Sequence, residues 1–195
     1  RCALQSATAL ARDSRWREAL EILNRVIDFA RMRSELHLVS ELLLLAGTVL
    51  KDSGDTVSAE SVYRELIAVL EARPAEKTLG VVYNKLGDLY KMRSDFEGGL
   101  AALEKALAIF EQLGDQLELS HACNNLGNIY WVTGDIPECT RYYRRALRLQ
   151  RRLGAAVETA STLSNLGSVF CLRGRFDRGI SLLTTSALAQ DVPAQ

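Results

Sequence analysis

The chain has 195 residues, of which 48% are hydrophobic and 25% are charged. A chain of this length and composition can bury a substantial hydrophobic core, which excludes an intrinsically disordered protein. Its 24 basic and 24 acidic residues give a formal net charge of zero. That balance excludes the basic surface of a dedicated nucleic-acid or acidic-membrane binder, so no nucleic-acid partner is expected.

Helix-forming residues dominate the chain. There are only three prolines, and the frequent Ala, Leu, Glu and Arg favour helix throughout, which predicts an all-α fold. The longest apolar run covers residues 42–46 and is too short to span a membrane. Cys2, Cys123, Cys139 and Cys171 show neither CxxC pairing nor the compact spacing of metal ligands. We therefore predict a reducing, cytoplasmic location.

A small motif recurs every forty residues without a slip. A leucine or alanine followed by glycine marks the second to fifth repeats, with the glycine at Gly47, Gly87, Gly127 and Gly167, and the register extends backwards to a first repeat around Ala7. Further along each repeat come a large apolar residue, a glycine or serine typical of a turn, a small residue and a second large apolar residue. In the fourth repeat these are Tyr130, Gly134, Cys139 and Tyr143.

In chain order, this register predicts five units at about residues 1–34, 35–74, 75–114, 115–154 and 155–195. Each unit is a helix, a turn and an antiparallel second helix, most clearly Asp115 to Thr133 followed by Ile136 to Leu153. By comparison with its successors, the first helix should begin about five residues before Arg1, so we expect the chain to be a segment of a longer protein. Glycine within a helix costs about 1 kcal/mol relative to alanine, which predicts that each marker glycine lies where two helices approach closely.

The order of these residues resembles the tetratricopeptide repeat across the whole chain. The repeat is forty residues long instead of thirty-four, and Glu71, Glu111 and Arg151 replace the usual closing proline. This longer form is similar to the repeats of Pins/LGN spindle adaptors, kinesin light chains and the sensor segments of bacterial regulators. The resemblance implies a right-handed superhelical solenoid, with the first helices lining a concave groove that binds protein segments.

The groove-facing residues of the first helices are those outside the Leu-Gly-Tyr core set. They form a polar ladder rich in amides, made of Asn84, Lys85, Asp88, Lys91, Asn124, Asn125, Asn128, Trp131, Ser164, Asn165, Ser168 and, at its end, Cys171. The resemblance implies that Asn125 and Asn165, directly before the Leu-Gly pair, hold the main chain of a bound peptide. Lys85 departs from that pattern. The alternative is that the amides bond to one another or face water.

Two groups of apolar residues add to this groove. Trp131 stands where other units have lysine or cysteine, so it is either an anchor for a bound side chain or a space-filling residue against the neighbouring helix. Leu44 and Leu45 make the N-terminal end of the groove apolar. They either bind a hydrophobic side chain or are covered by residues before Arg1. Trp16, just after a turn, is expected in the core.

The remaining candidates indicate no catalytic chemistry. One second helix carries a row of arginines, which we interpret as a solvated, partly ion-paired convex face, with a phosphate or nucleic-acid stripe as the alternative: Arg141, Arg144, Arg145, Arg148, Arg151 and Arg152. His37 and His121 lack the acid or nucleophile spacing of an active site. No phosphate-binding loop or hydrolase motif occurs, so we predict no enzyme activity, metal or cofactor.

The sequence therefore predicts a non-catalytic scaffold that binds a peptide or protein segment in its concave groove, as an adaptor or signalling component. An alternative is the sensor or autoinhibitory arm of a larger bacterial signalling or transcription-regulatory protein. A third hypothesis is self-association through the exposed end repeats.

Overall fold

The computed structural model describes residues 2–71 and 77–190, with the side chains of 5–71 and 77–187. Over this part of the chain every element is a helix and no strand occurs, as the sequence predicted. In chain order the helices are α1 (Cys2–Arg12), α2 (Trp16–Met32), α3 (Leu36–Asp52), α4 (Thr56–Leu70), α5 (Lys77–Met92), α6 (Phe96–Leu113), α7 (Gln116–Thr133), α8 (Ile136–Leu153), α9 (Ala156–Leu172) and α10 (Phe176–Gln190).

The described helices form five antiparallel pairs, and each predicted unit contains one pair. The substantial contacts among the described helices lie within a pair or between adjacent pairs. The structure is therefore a stack in which each unit packs on its neighbours, the arrangement of a helical-repeat solenoid. The boundaries that we predicted at residues 1, 74, 75 and 195 lie outside the described residues.

Tight turns separate the helices at a regular interval. Residues with positive φ recur at multiples of twenty residues along the described chain: Ser14, Ser34, Gly54, Ser94, Gly114, Gly134, Gly154 and Gly174. After several of them an aspartate caps the next helix, as Asp135 does by accepting a 3.2 Å hydrogen bond from the backbone N–H of Glu138. Such a cap satisfies a backbone donor that the first helical turn leaves free.

The marker glycines lie at close helix crossings, as predicted. A Cβ built on Gly127 would lie 2.6 Å from Cδ1 of Tyr143, the large apolar residue sixteen positions later. At Gly87 a Cβ would lie 2.5 Å from Cγ of Leu103 and 3.2 Å from the carbonyl oxygen of Gly99, so this glycine meets both the large apolar residue and the small residue of the second helix. At Gly127 the nearest atoms belong to Tyr143 instead of Cys139, because the tyrosine ring lies over the glycine.

The hydrophobic core runs along the stack as three clusters of buried residues. It comprises the inward residues of both helices in each pair. Leu23, Leu66 and Leu89 are examples whose side chains are fully buried. Trp16, predicted to be core, is half-buried and packs against the N-terminal part of this core. None of the described helices is long and apolar enough to span a lipid bilayer.

Candidate functional site

The predicted ladder lies on the first helices of the third, fourth and fifth units, α5, α7 and α9. Leu86, Leu126 and Leu166 are buried in the core, whereas the ladder residues directly before them, Lys85, Asn125 and Asn165, are half-buried. Ser168 is exposed, Asn84 is buried, and the other members of the ladder are half-buried. We call this set of side chains the ladder face.

The amides of the ladder face are joined across units by hydrogen bonds. The Nδ2 of Asn125 donates to the Oδ1 of Asn84 over 2.9 Å. The Nδ2 of Asn165 lies 3.4 Å from the Oδ1 atoms of both Asn124 and Asn128. Many amides of the ladder face therefore bond to one another, which was the alternative interpretation. Their contact with a peptide stays a prediction.

Two further hydroxyl groups complete this network. Thr162 of α9 donates to the Oδ1 of Asn124 over 3.2 Å, and Tyr143 donates to the Oδ1 of Asn128 over 2.7 Å. Neither residue was predicted at the site. Tyr143 is the second large apolar residue of its repeat, and Thr162 is buried on α9. The acceptors of Asn124 and Asn128 are thus already occupied, which fixes the orientation of both side chains.

A charged cluster lies at the N-terminal part of the ladder face. Asp88 accepts hydrogen bonds from Lys51 of the preceding unit over 2.9 Å and from Lys91 over 2.7 Å. Burial alone would raise the pKa of Asp88, but the two ammonium groups outweigh it and hold that pKa below its ordinary value. Lys51 was not predicted as a site residue, although its place in the forty-residue register matches Lys91 and Trp131.

A cleft of about 450 Å³ opens between α5 and α7. Its lining brings together four predicted residues and three that the prediction left out of the site, Val81, Glu118 and His121. The full lining is Val81, Asn84, Lys85, Glu118, His121, Asn124 and Asn125. Because its walls offer amide donors and acceptors, a cation and a carboxylate, the cleft suits the polar groups of a peptide.

His121 and Glu118 form a pair at this cleft. The Nδ1 of His121 lies 3.4 Å from Oε2 of Glu118, one helical turn earlier on α7. This interaction raises the pKa of His121 against the opposing effect of burial, and it lowers the pKa of Glu118. Lys77 of α5 reaches the same edge, with its Nζ 2.7 Å from Oδ2 of Asp115.

Trp131 is half-buried and packs against a cluster made mainly by α8 and α9, which includes Tyr143 and Phe170. Part of the Trp131 side chain therefore fills space against the neighbouring helices. The rest of that side chain is exposed and available to a ligand. Leu44 and Leu45 are also half-buried against the core. Cys171 completes the ladder as a free thiol.

The arginines of α8 are largely solvated and partly paired. Arg145 forms an ion pair with Glu111 of α6, and Arg141 pairs with Glu138 on its own helix. An acidic and a basic residue thus meet on stacked second helices. The structure gives these arginines ordinary surface partners, which supports the interpretation of a solvated outer face.

Residues 118–187 match the sequence model of the tetratricopeptide repeat family. Among solved structures, BtubC (BKLC) from P. vanneervenii is similar, with a TM-score of 0.82 and 18% identity over 94% of this chain and 76% of that one. A putative kinesin light chain from Podosopora anserina, with nearly identical TPR-like repeats, has a TM-score of 0.76 and 15% identity over 97% and 94% of the two chains. No curated protein matches by sequence.

A third similar structure is aspartyl phosphate phosphatase F from Bacillus subtilis, with a TM-score of 0.77 and 10% identity. The alignment covers 98% of this chain and 59% of that one. At such low identities these structures share the fold of this chain. They confirm the predicted resemblance and the all-helical repeat architecture.

Proposed function

We propose that this chain, a tetratricopeptide-like repeat protein, is a non-catalytic scaffold that binds a peptide or protein segment along its ladder face. Helical repeats of this type generally present an extended surface to protein partners. The observation that carries the proposal is the cleft between α5 and α7, lined by Asn84, Lys85, His121, Asn124 and Asn125.

The composition of the ladder face supports a peptide as the ligand. Amide side chains can both donate to and accept from a peptide backbone. Lys85 lines the cleft, and its ammonium can pair with an acidic side chain or terminus. Trp131 supplies a half-buried aromatic surface beside the amides, which is the chemistry of an anchor residue.

The proposal places this scaffold in a reducing, cytoplasmic compartment, as an adaptor or signalling component. Its support is the state of the described cysteines: Cys123, Cys139 and Cys171 are free thiols. Burial raises the pKa of both Cys123 and Cys139 to about 11, so these thiols are poor nucleophiles and poor metal ligands.

The test begins with a random peptide library displayed on phage and selected on the immobilised chain. A selected peptide is then synthesised and titrated by calorimetry against variants. Asn125→Ala and Asn165→Ala should each weaken binding by about 0.5–1.5 kcal/mol. Trp131→Ala should weaken it by about 2 kcal/mol or more if the indole anchors a side chain.

Controls on the outer face complete this test. Arg144→Glu and Arg151→Glu replace exposed side chains of α8 and should leave peptide binding unchanged. If these reversals abolish binding while the Asn and Trp changes have no effect, the binding site lies on the second helices and the proposal is wrong. The melting temperature of each variant separates a loss of binding from a loss of folding.

A role as the sensor or autoinhibitory arm of a larger regulatory protein is the alternative function, and it stays a prediction. The full-length sequence distinguishes it from a free-standing scaffold. An adjoining kinase, ATPase or DNA-binding module would favour the regulatory arm.

A further inference from the structure

A groove of about 460 Å³ lies where the second helices of the fourth and fifth units, α8 and α10, meet α9. Its apolar lining includes Leu147 of α8, Phe170 of α9 and Leu182 of α10. We call this groove the outer groove.

Three arginines also line the outer groove: Arg144 and Arg151 of α8 and Arg178 of α10. Asp177 contributes one carboxylate to the same lining, so cations outnumber anions there. No ion pair joins any of the three arginines to another described residue. An apolar surface beside unpaired cations suits a ligand that is both apolar and anionic.

Grooves at the same place occur earlier in the stack, where further units follow them. The groove between α2 and α4 has a volume of about 520 Å³, and the groove between α4 and α6 has about 380 Å³. Each described lining residue comes from the two units that form the groove, and none comes from a later unit. A unit packed after α10 would therefore leave the outer groove open.

Ion pairs between residues 34 positions apart bridge two earlier pairs of second helices. Arg31 of α2 pairs with Glu65 of α4. Glu111 of α6 pairs with Arg145 of α8. The register thus places a cation and an anion on opposite sides of these grooves.

The outer groove lacks this bridge. The residue 34 positions after Arg151 is Thr185, whose hydroxyl donates to the backbone oxygen of Ser181 over 2.8 Å and carries no charge. The three arginines also replace acidic residues that stand forty positions earlier: Glu104, Glu111 and Glu138. The cations of the outer groove therefore lack the anions that the repeat supplies in the earlier units.

The preceding unit also shows what fills the apolar part of such a groove. Tyr142 of α8 stacks on Tyr130 of α7, with ring centroids 5.5 Å apart and an interplanar angle of 7°. The guanidinium of Arg141 lies 4.4 Å from the centroid of the Tyr142 ring. Forty residues later, Leu182 and Phe170 take the places of the two tyrosines. Because leucine is smaller than tyrosine, the outer groove keeps space that an aromatic ring fills one unit earlier.

We propose that the outer groove binds an acidic peptide segment of a partner protein that carries one aromatic side chain. The aromatic ring lies over Leu182 and Phe170, in the space that Tyr142 takes up one unit earlier. Carboxylates on either side of the ring pair with Arg151 and Arg178 through charge-assisted hydrogen bonds. The site lies on the second helices, so it does not rest on the function proposed for the ladder face.

The spacing of the arginines favours a peptide over a small organic acid. Arg144 and Arg151 are seven residues apart on α8, which is about 10 Å along the helix axis. Arg178 lies across the groove on α10. One carboxylate cannot contact all three guanidinium groups, whereas a segment with several Glu or Asp residues can. A nucleic-acid backbone also carries several anions, and it is a competing outcome of the experiment below.

The experiment titrates the isotope-labelled full chain with a short synthetic peptide in which one tyrosine is flanked by glutamates. Amide correlation spectra recorded by NMR should show saturable shifts in α8 and α10. Replacing the peptide's tyrosine by alanine, or its glutamates by glutamines, should weaken binding at least about fivefold. The double variant Arg151→Gln/Arg178→Gln should weaken binding of the unmodified peptide to the same extent.

Two further variants fill the outer groove from within the chain. Leu182→Tyr places a phenol ring where Tyr142 lies one unit earlier. Thr185→Glu gives Arg151 an anionic partner at the spacing found in the earlier units. Each should weaken peptide binding at least about fivefold and keep the fold, because Leu182 is only half-buried and Thr185 is exposed.

Matched controls separate this site from the ladder face. Arg148→Gln removes an exposed arginine of α8 that is not part of the groove lining. Lys85→Gln removes the cation of the ladder-face cleft. Both variants should bind the peptide as the parent chain does. Circular dichroism checks that each variant is folded, and Thr185→Glu alone serves if the other groove variants are not.

The inference fails if the titration gives no saturable shifts, or if the arginine and groove-filling variants bind the peptide as tightly as the parent chain. Shifts in α5 and α7 that Lys85→Gln abolishes would place the acidic peptide on the ladder face instead. A mixed-sequence oligonucleotide is titrated in parallel. If it binds more tightly than the peptide and depends on the same arginines, the outer groove is a nucleic-acid site and the inference is wrong.

Discussion

The side-chain amide of Asn125 donates a 2.9 Å hydrogen bond to the side-chain oxygen of Asn84 on the preceding unit. Asn84 is only 8% exposed, so its oxygen has few alternative donors. The bond joins α5 to α7 on the ladder face. An asparagine that the resemblance assigns to ligand binding thus also connects two repeats, and its removal affects folding as well as recognition.

Asn125→Ala should lower the free energy of unfolding by about 1 kcal/mol, because it leaves the buried oxygen of Asn84 without this donor. Urea denaturation followed by circular dichroism measures the change. Asn24→Ala is the matched control, since Asn24 is an exposed amide on α2 and its loss should be nearly neutral. Equal stability of the Asn125 variant and the parent would show that the inter-unit bond contributes nothing.

Gly127→Leu should destabilise the chain by about 1–3 kcal/mol or more, because even a Cβ at this position meets the ring of Tyr143 at 2.6 Å. Thermal denaturation checks this expectation. Arg148→Leu, an exposed position on α8, is the control and should melt close to the parent. If Gly127→Leu has the same melting temperature as Arg148→Leu, α7 and α8 can move apart with little loss of stability.

Ser94→Gly should stabilise the chain by about 0.5 kcal/mol. Ser94 has a φ of 61° in the turn where the next unit has Gly134 with a φ of 82°, and a side chain makes this left-handed conformation costly. Gly134→Ser should therefore have the opposite sign, a loss of about 1 kcal/mol. Urea midpoints of the two variants measure both effects, and changes of the same sign would contradict the explanation.

His121→Gln should reduce stability at about pH 5.5 but hardly at about pH 8. The pKa of His121 is raised above 6.5 in the folded chain, so its protonated form stabilises at low pH and this contribution is lost as pH rises through the folded pKa. Glu118, whose pKa is lowered from 4.5, is still ionised at the lower pH. The ion pair of His121 and Glu118 therefore stabilises the folded chain at pH values between the pKa of Glu118 and the pKa of His121.

Melting temperatures at the two pH values test this expectation. His37→Gln is the control, because the side chain of His37 is 83% exposed and its removal should cost little at either pH. A His121 variant with the same loss at both pH values would show that packing, and not the charge of the pair, is what the substitution removes.

The repeat architecture could be predicted because its signals are local and recur. The predicted second helix of the fourth unit, Ile136 to Leu153, has the observed bounds of α8, since Asp135 before it and Gly154 after it supply the cap and the left-handed residue. The marker glycines Gly47, Gly87 and Gly167 indicated the register of the second, third and fifth units, and the first unit was placed by extending that register backwards.

The candidate site could be predicted only as a set of positions. Which side chains pair depends on distances between helices that no spacing along the chain supplies. Lys51 and Asp88 are 37 residues apart in the sequence, yet they form a 2.9 Å hydrogen bond because α3 and α5 lie side by side. Trp131 was placed correctly on its helix, but its packing against residues of the fifth unit follows from the stacking of α8 and α9.

Because each unit packs only on the adjacent units, the two tryptophans lie in nearly independent surroundings. Trp16 lies against the core near the N-terminal end, while Trp131 belongs to the cluster shared by the fourth and fifth units. In a quasi-one-dimensional stack, opposite ends can lose structure at different temperatures. The fluorescence of each indole then follows its own stretch of the chain, so single-tryptophan variants would reveal from which end the solenoid unravels.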